Sequence, residues 1–393
     1  MKTIFFLLLL LISCSGGTAL RNTKFIEWSQ GTIDPDTLGE TINNSQWKSN
    51  IMVFSGPFVI HNAMPNNLIL NLLEYDMNDS LLRRSQMWMK NNFAVEDIEN
   101  RKFRLIAKAS TPNTIDSEIV SDNIVLIIGV DAKEQIRQRN KKFEEAISRV
   151  FTRENTYNNP LYMAHRGYTV DAPENSIPSF IHAGQKGAWA IESDLRFTKD
   201  SVVVCIHDKT IDNRYNGTGK VSDYTYAELL EMKIIVGNNI DVYSDEELRI
   251  PTLEQYLEIC KNYNCVAFIE LKEDASKEII EAANKIGMTG RYIVSSSNID
   301  ILTHFRSLSD EMIHHINMKP TSTNLDDLRL MGNASTAFNL SDPTGKDKEM
   351  IDKCHSMGLK ICFRAVDTSK YAKECIEAGI DFLPSNTMEE INE

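Results

Sequence analysis

Positive charge is scarce in this 393-residue chain: 42 Lys and Arg stand against 55 Asp and Glu, a formal net charge of -13. Nucleic-acid affinity rests on Lys and Arg neutralising phosphates, so a polyanion-binding role is excluded and any recognition of phosphate must be local. Long apolar runs are missing beyond the N-terminus, where no segment approaches the roughly eighteen residues of a spanning helix. Cysteine is sparse as well. Of seven, the pair Cys260-x4-Cys265 has no partnering Cys/His pair, which excludes a zinc site of the usual spacing. Setting Cys14 aside leaves an even six, which permits disulfides, but a chain that can bury a large core does not need them. Cys205 and Cys362 sit inside apolar runs and read as buried thiols. A phosphate loop is absent too, because "NGTGK" at 216–220 lacks the Gly-x4-Gly-Lys-Ser/Thr spacing and reads as a turn.

What is present begins with "MKTIFFLLLLLISCSGG": Lys2, nine apolar residues from Ile4 to Ile12, and then Leu11-Ile12-Ser13-Cys14. The apolar stretch is too short to span a bilayer and predicts a cleavable secretory signal over 1–13. Its last four residues resemble a bacterial lipobox. That resemblance implies an exported chain lipidated at Cys14, with the membrane as partner through its acyl chains. Cys14 is followed by no acidic residue, which points to the outer membrane within the cell envelope.

Residues 14–30 are small and polar and read as a tether. Over 31–130, runs such as "NIMVFSGPFVI", "NLILNLLEY", "KFRLIAKAS" and "NIVLIIGV" predict a small β-rich accessory domain, with a sandwich as one arrangement. Residues 131–159 form a helical connector, with Ile136, Phe143, Ile147 and Val150 on one face. From 160 to 393, short β-rich runs alternate with helical segments, the pattern of parallel βα units. Nine candidate strands result: 161–165, 188–196, 202–207, 266–271, 291–296, 312–318, 335–340, 360–366 and 381–384. Only "TKDS" separates the second from the third, far short of the dozen or so residues of a parallel crossover, so the third turns back as a hairpin. Eight strands remain, and the fold expected is an α/β (β/α)8 TIM barrel with its chemistry at strand C-terminal ends.

The ionisable residues gather at those ends. Glu192 and Asp194 are two apart in one strand and share a face, and Glu270 joins them from the next barrel strand. Three convergent carboxylates need a cation, and hard oxygen donors favour Mg²⁺ or Ca²⁺ over zinc. His165 and His207 flank the position as general acid and base, in either order. Arg166 and Lys272 are placed to neutralise phosphoryl oxygens. This is the inventory of metal-assisted phosphodiester hydrolysis. The remaining histidines, 182, 304, 314, 315 and 355, read as structural.

The ordered motifs "HRG" 165–167, "PENS" 173–176, "ESD" 192–194, "TKD" 198–200, "HD" 207–208, "GTGKVSDYTYAEL" 217–229, "IPTLEQ" 250–255, "ELK" 270–272 and "VSSSN" 294–298 resemble those of the glycerophosphodiester phosphodiesterase family. The resemblance covers about 161–386 and implies a TIM barrel that cleaves a small-molecule glycerophosphodiester to an alcohol and glycerol phosphate. It also implies metal ligands Glu192, Asp194 and Glu270, a catalytic pair His165 and His207, phosphate-binding Arg166 and Lys272, and a supporting Glu174. The seventh strand departs from the family: "FRAVD" stands where a tryptophan usually walls the pocket, which makes Phe363 and Arg364 candidate pocket residues. At the last strand the usual Thr-Asp becomes "PSN", 384–386. These departures leave open a phosphodiesterase or lyase acting on a phospholipid or a glycerol-phosphate-decorated glycan. A non-catalytic phosphodiester-binding lipoprotein is the reading from another class.

Overall fold

The computed structural model describes residues 124–309, 313–317, 319–320, 334–338, 347–363 and 365–391, preceded by ten strand segments between 28 and 109. Cys14 and Arg364 lie outside the described residues. The chain divides into two units, one of 1–141 with 322–332, the other of 142–321 with 333–393.

Among the described residues of the first unit every strand pairing is antiparallel. One sheet runs Trp28–Gln30, Gln46–Ser49, Arg101–Ala109, Leu68–Tyr75, Leu81–Arg84, with Met52–Phe54 also on Arg101–Ala109. Another has Ile124–Ile128, Phe58–Asn62 and Phe93–Val95 in order. Phe103 and Leu105, two apart and so on one face, are fully buried.

The second unit is the barrel. Its strands are β1 (Tyr162–Ala164), β2 (Ala190–Phe197), β3 (Val203–Cys205), β4 (Val266–Leu271), β5 (Tyr292–Ser296), β6 (Ile313–Ile316), β7 (Ala334–Phe338), β8 (Lys360–Phe363) and β9 (Leu383–Ser385). Eight run parallel in the order β8-β7-β6-β5-β4-β2-β1-β9, and a parallel bridge from Cys362 to Phe382 joins the two ends. β3 is antiparallel to β2, with Leu195 opposite Cys205. The hairpin expected from the short "TKDS" linker is thus present. Ser201 takes the left-handed backbone (φ 63°), Thr198 N–H donates to Val202 O, and the Thr198 hydroxyl accepts from Val202 N–H.

Helix α1 (Gly129–Val150) ends against the barrel. Its last turns bury Ala146 and Val150 with Leu161, Trp189 and Val266, residues that open β1, β2 and β4, and the Trp189 indole donates to Val150 O. These last turns therefore cover the end of the barrel remote from the strand C-termini. Helix α2 (Ile177–Gln185) begins at Ser176, whose side chain accepts from Ser179 N–H while the Ser179 hydroxyl meets the Ser176 backbone. Helix α3 (Leu253–Asn262) starts with the expected Thr252/Gln255 box. The excursion between β3 and α3 has its own small core of Ile206, Ile211, Tyr215, Leu229, Ile234 and Leu248, and His207 and Asp208 directly follow Ile206 at its start.

Candidate active site

A cavity of about 280 Å³ opens at the C-terminal ends of the strands, lined among others by His165, Arg166, Glu192, His207, Glu270 and Asn386. The first carboxylates arrive on β2. Side-chain alternation puts Glu192 and Asp194 on one face, and β4, in register, sets Glu270 opposite Asp194. Ligand atoms of the three lie within 4.8 Å of one another.

The segment after β1 bends sharply to meet them. Arg166 (φ 59°) and Asn175 (φ 48°) both adopt left-handed backbone, and Gly167 (φ 85°) passes so close to Ser179 that a Cβ would fall 2.3 Å from its hydroxyl oxygen. The bend turns the Arg166 N–H onto Glu192 Oε2 at 2.7 Å. Asn175 Nδ2 donates to Asp194 Oδ2 at 3.0 Å, while its Oδ1 accepts from the Ser193 hydroxyl and the Asp194 N–H. Asn175 thus fixes the carboxylate that follows Glu192, a role that sequence reading did not assign, although Asn175 stands in "PENS" beside Glu174.

Glu192 Oε1 is buried and has no hydrogen-bond partner among the described residues. Burial, and then Asp194 and Glu270, push the Glu192 carboxyl well above its ordinary pKa. For Asp194 burial acts upward too, but Lys272, Arg166 and His207 outweigh it and hold the group below its ordinary value. An orphaned buried carboxylate oxygen beside two more carboxylates fits a hard divalent cation, and Glu192, Asp194 and Glu270 are the residues that would hold it.

The two predicted phosphate-binding cations are both in the cluster. Lys272, one residue past β4, pairs with Asp194 Oδ1 at 3.0 Å and with Glu270 Oε1. Burial opposes its charge, yet those carboxylates raise its pKa above the ordinary lysine value. Arg166 Nε lies 3.4 Å from Asp194 Oδ2, an ion-pair separation without hydrogen-bond geometry. Its guanidinium also donates to Glu174 Oε1 at 3.0 Å, and Glu174 Oε2 in turn pairs with Arg214 at 2.9 Å. Glu174 therefore bridges two arginines, and Arg214 is a further residue that no motif had marked.

Each histidine is anchored through Nδ1. His207 Nδ1 lies 2.8 Å from Asp208 Oδ1, and the bond holds the Asp208 carboxyl below its ordinary value. His165 Nδ1 lies 2.9 Å from Asn386 Oδ1. Burial pulls the His165 imidazole below its ordinary pKa. Arg196, two residues beyond Asp194, donates to His207 O at 3.0 Å and pairs with Glu273, tying the hairpin to the end of β4.

The other side of the cavity corrects one expectation. Phe363 does not line it. Alternation along β8 turns Cys362 inward, and Phe363 packs edge-on against Tyr371 of the following helix, ring centroids 5.5 Å apart. Ala365 (φ 52°), Ser295, His315 and Asn317 complete that wall, and Asn317 Nδ2 donates to Glu270 Oε2 at 3.1 Å. His315, read as structural from the sequence, borders the cavity.

Residues 165–390 match the Glycerophosphoryl diester phosphodiesterase family, more than half of the chain and all of the site above. A glycerophosphodiester phosphodiesterase of Caldanaerobacter subterraneus subsp. tengcongensis is 29% identical over 233 residues, covering 56% of this chain and 91% of that protein. Human Glycerophosphodiester phosphodiesterase 1 is 30% identical over 166 residues, 41% of this chain and 49% of the relative, so the match spans about half the length of that protein. Among solved structures, a glycerophosphodiester phosphodiesterase from Agrobacterium tumefaciens superposes with a TM-score of 0.52 at 22% identity, covering 58% of this chain and 97% of the other, a likeness of fold.

Proposed function

The chain belongs to the Glycerophosphoryl diester phosphodiesterase family, and on that premise we propose that it hydrolyses glycerophosphodiesters to an alcohol and glycerol phosphate with a divalent cation and a histidine pair. The observation that carries the proposal is the convergence of Glu192, Asp194 and Glu270 within 4.8 Å, in a cavity that both His165 and His207 line. Mg²⁺ or Ca²⁺, when bound by those carboxylates, supplies charge neutralisation and polarises the phosphoryl oxygen. The protein's own part follows from its geometry. Arg166 and Lys272 meet the anionic phosphodiester, and the carboxylates beside them keep both cations oriented. One histidine takes the proton of the attacking oxygen and the other returns a proton to the leaving alcohol. Water is the attacking group in hydrolysis; an adjacent substrate hydroxyl in its place would give a cyclic phosphate.

A pure binder has no use for two proton-transfer groups on opposite partners, and the pair of anchored imidazoles favours turnover. Membrane attachment through a lipidated Cys14 belongs to the same proposal and is supported by the Leu11–Cys14 lipobox. The test is to incubate the protein with glycerophosphocholine, glycerophosphoethanolamine, glycerophosphoinositol and a phospholipid, with EDTA or with Mg²⁺ or Ca²⁺ restored. Cation-dependent release of glycerol phosphate from one of the first three is expected. Turnover of the phospholipid alone would move the substrate class, a cyclic phosphate would make the enzyme a lyase, and no turnover at all would leave a binder.

A further inference from the structure

The two histidines differ in what stands behind them. At His207 the partner is a carboxylate, whereas at His165 it is a neutral side-chain amide, itself held by a second group. Asp367, just beyond β8, accepts the Asn386 backbone N–H at 2.7 Å on Oδ1 and the Asn386 Nδ2–H at 2.8 Å on Oδ2. The brace is reinforced by Val366 N–H donating to Pro384 O and by the Thr387 hydroxyl donating to Asp367 O. His165 N–H donates to Ser385 O, so the imidazole is tied to β9 by main chain as well.

These contacts resolve the amide and then the tautomer. An ionised carboxylate only accepts, so the Asn386 atom facing Asp367 is the NH₂ and the atom facing His165 is the carbonyl oxygen. A carbonyl oxygen also only accepts, so His165 Nδ1 must carry the proton. The geometry points to Asp367 and Asn386 as positioning residues that lock His165 in the Nδ1–H tautomer, leaving a bare Nε2 for the cavity as proton acceptor. A neutral partner fixes that tautomer without placing a further negative charge beside the three carboxylates. Pro384-Ser385-Asn386, at the end of the last barrel strand, supplies this amide.

In the proposed hydrolysis, on which the kinetic half of this inference rests, the water O–H breaks as its proton passes to His165 Nε2. The oxygen electron pair forms the new bond to phosphorus, the bond from phosphorus to the alcohol oxygen breaks, and that oxygen takes its proton from His207. Orienting groups of this kind typically change activity by about 10- to 100-fold when removed.

The experiment has two readouts. Long-range ¹H–¹⁵N spectra of histidine-labelled protein, with the His165 signal assigned by its loss in His165→Gln, report the tautomer without any substrate. A protonated Nδ1 and a bare Nε2 are expected for the wild type, with the Nε2–H form gaining population in Asn386→Leu and in Asp367→Asn. On the phosphodiester that the wild type turns over, both variants should lower kcat by about tenfold or more with KM within about twofold. An Nε2–H tautomer in the wild type, or an unchanged kcat in folded Asp367→Asn, overturns the inference. A wild type that shows the expected tautomer but turns over no phosphodiester would instead count against the hydrolase reading.

Discussion

The two sides of the barrel cavity carry different chemistry. From β1, β2, β4 and the β3 hairpin come Arg166, Glu192, Asp194, Glu270, Lys272 and both histidines. From β5, β6 and β8 come Ser295, His315, Asn317, Cys362 and Ala365, so among the described residues this wall carries no carboxylate or permanent cation. The charged side is cross-braced: Asn175, Arg166 and Lys272 each bond to a carboxylate of the trio. The neutral side is linked to the cluster by Asn317, whose Nδ2 donates to Glu270 Oε2. Charge is thus gathered in one half of the described cavity, and in the proposed hydrolysis the other half is left to shape the room for the departing alcohol. Substitutions should separate the two.

The greatest loss is expected at Glu192. Glu192→Gln keeps the volume and removes one donor from the cation site; a loss of about 4 kcal/mol of transition-state stabilisation corresponds to about a thousandfold in kcat. Its effect on stability should have the opposite sign. A carboxyl whose folded pKa is raised binds more protons folded than unfolded, so stability falls as pH rises from the ordinary glutamate range toward the raised value. Asp194, held below its ordinary value, contributes the reverse: stability present at higher pH and lost as pH falls through the lowered value. In EDTA, melting temperature against pH should therefore show a decline above the ordinary glutamate range for the wild type that Glu192→Gln lacks. Parallel curves would mean that Glu192 titrates as an ordinary surface acid.

His207→Asn comes next. Removing a proton-transfer group costs about 10²–10⁴ in kcat, and it should do so with little change in cation affinity, since His207 is outside the carboxylate trio. Isothermal titration with Mg²⁺ or Ca²⁺ beside steady-state kinetics would distinguish this from a collapse of the metal site. A smaller effect is expected at Glu174. Glu174→Ala frees Arg166 and Arg214 from their shared carboxylate, and kcat/KM should fall about tenfold, some 1.4 kcal/mol. Wild-type kinetics in this variant would reduce the bridge to a surface ion pair.

The same asymmetry governs how much could be read from the sequence. On the charged side each functional residue lies in a strand or within two residues of its end, and period-two alternation is enough to aim Glu192, Asp194 and Glu270 together. The hairpin was legible because four residues cannot make a parallel crossover. What escaped were residues acting through others: Asn175 behind Asp194, Arg214 behind Glu174, and Asp367 behind Asn386. Each partner is distant in sequence, and each is an Asn, Asp or Arg in a loop, where such residues need no special reason. His315 was read as structural because an apolar strand usually buries its histidine, and nothing local tells an inward strand residue from an outward one.

That ambiguity also misplaced Phe363, and β8 offers the mildest test of the two-sided view. Alternation alone permits either Cys362 or Phe363 to face the cavity, and the larger aromatic is the more tempting substitute for a missing tryptophan. The packing decides otherwise: Phe363 is almost fully buried against Tyr371, and Cys362 lines the cavity. Phe363→Leu should therefore lower stability by about 1 kcal/mol in a denaturant titration while leaving kcat/KM for every glycerophosphodiester within about twofold. Cys362→Leu adds bulk to the neutral wall without touching the carboxylates. It should leave cation affinity unchanged and alter the ratio of kcat/KM between small and large alcohol groups by about tenfold, the scale of a methylene or two in a pocket. If Phe363→Leu, and not Cys362→Leu, changed that ratio, the inward face of β8 would be the opposite one. The neutral wall would then be aromatic, and recognition of the alcohol would rest on stacking rather than on the room left by small side chains.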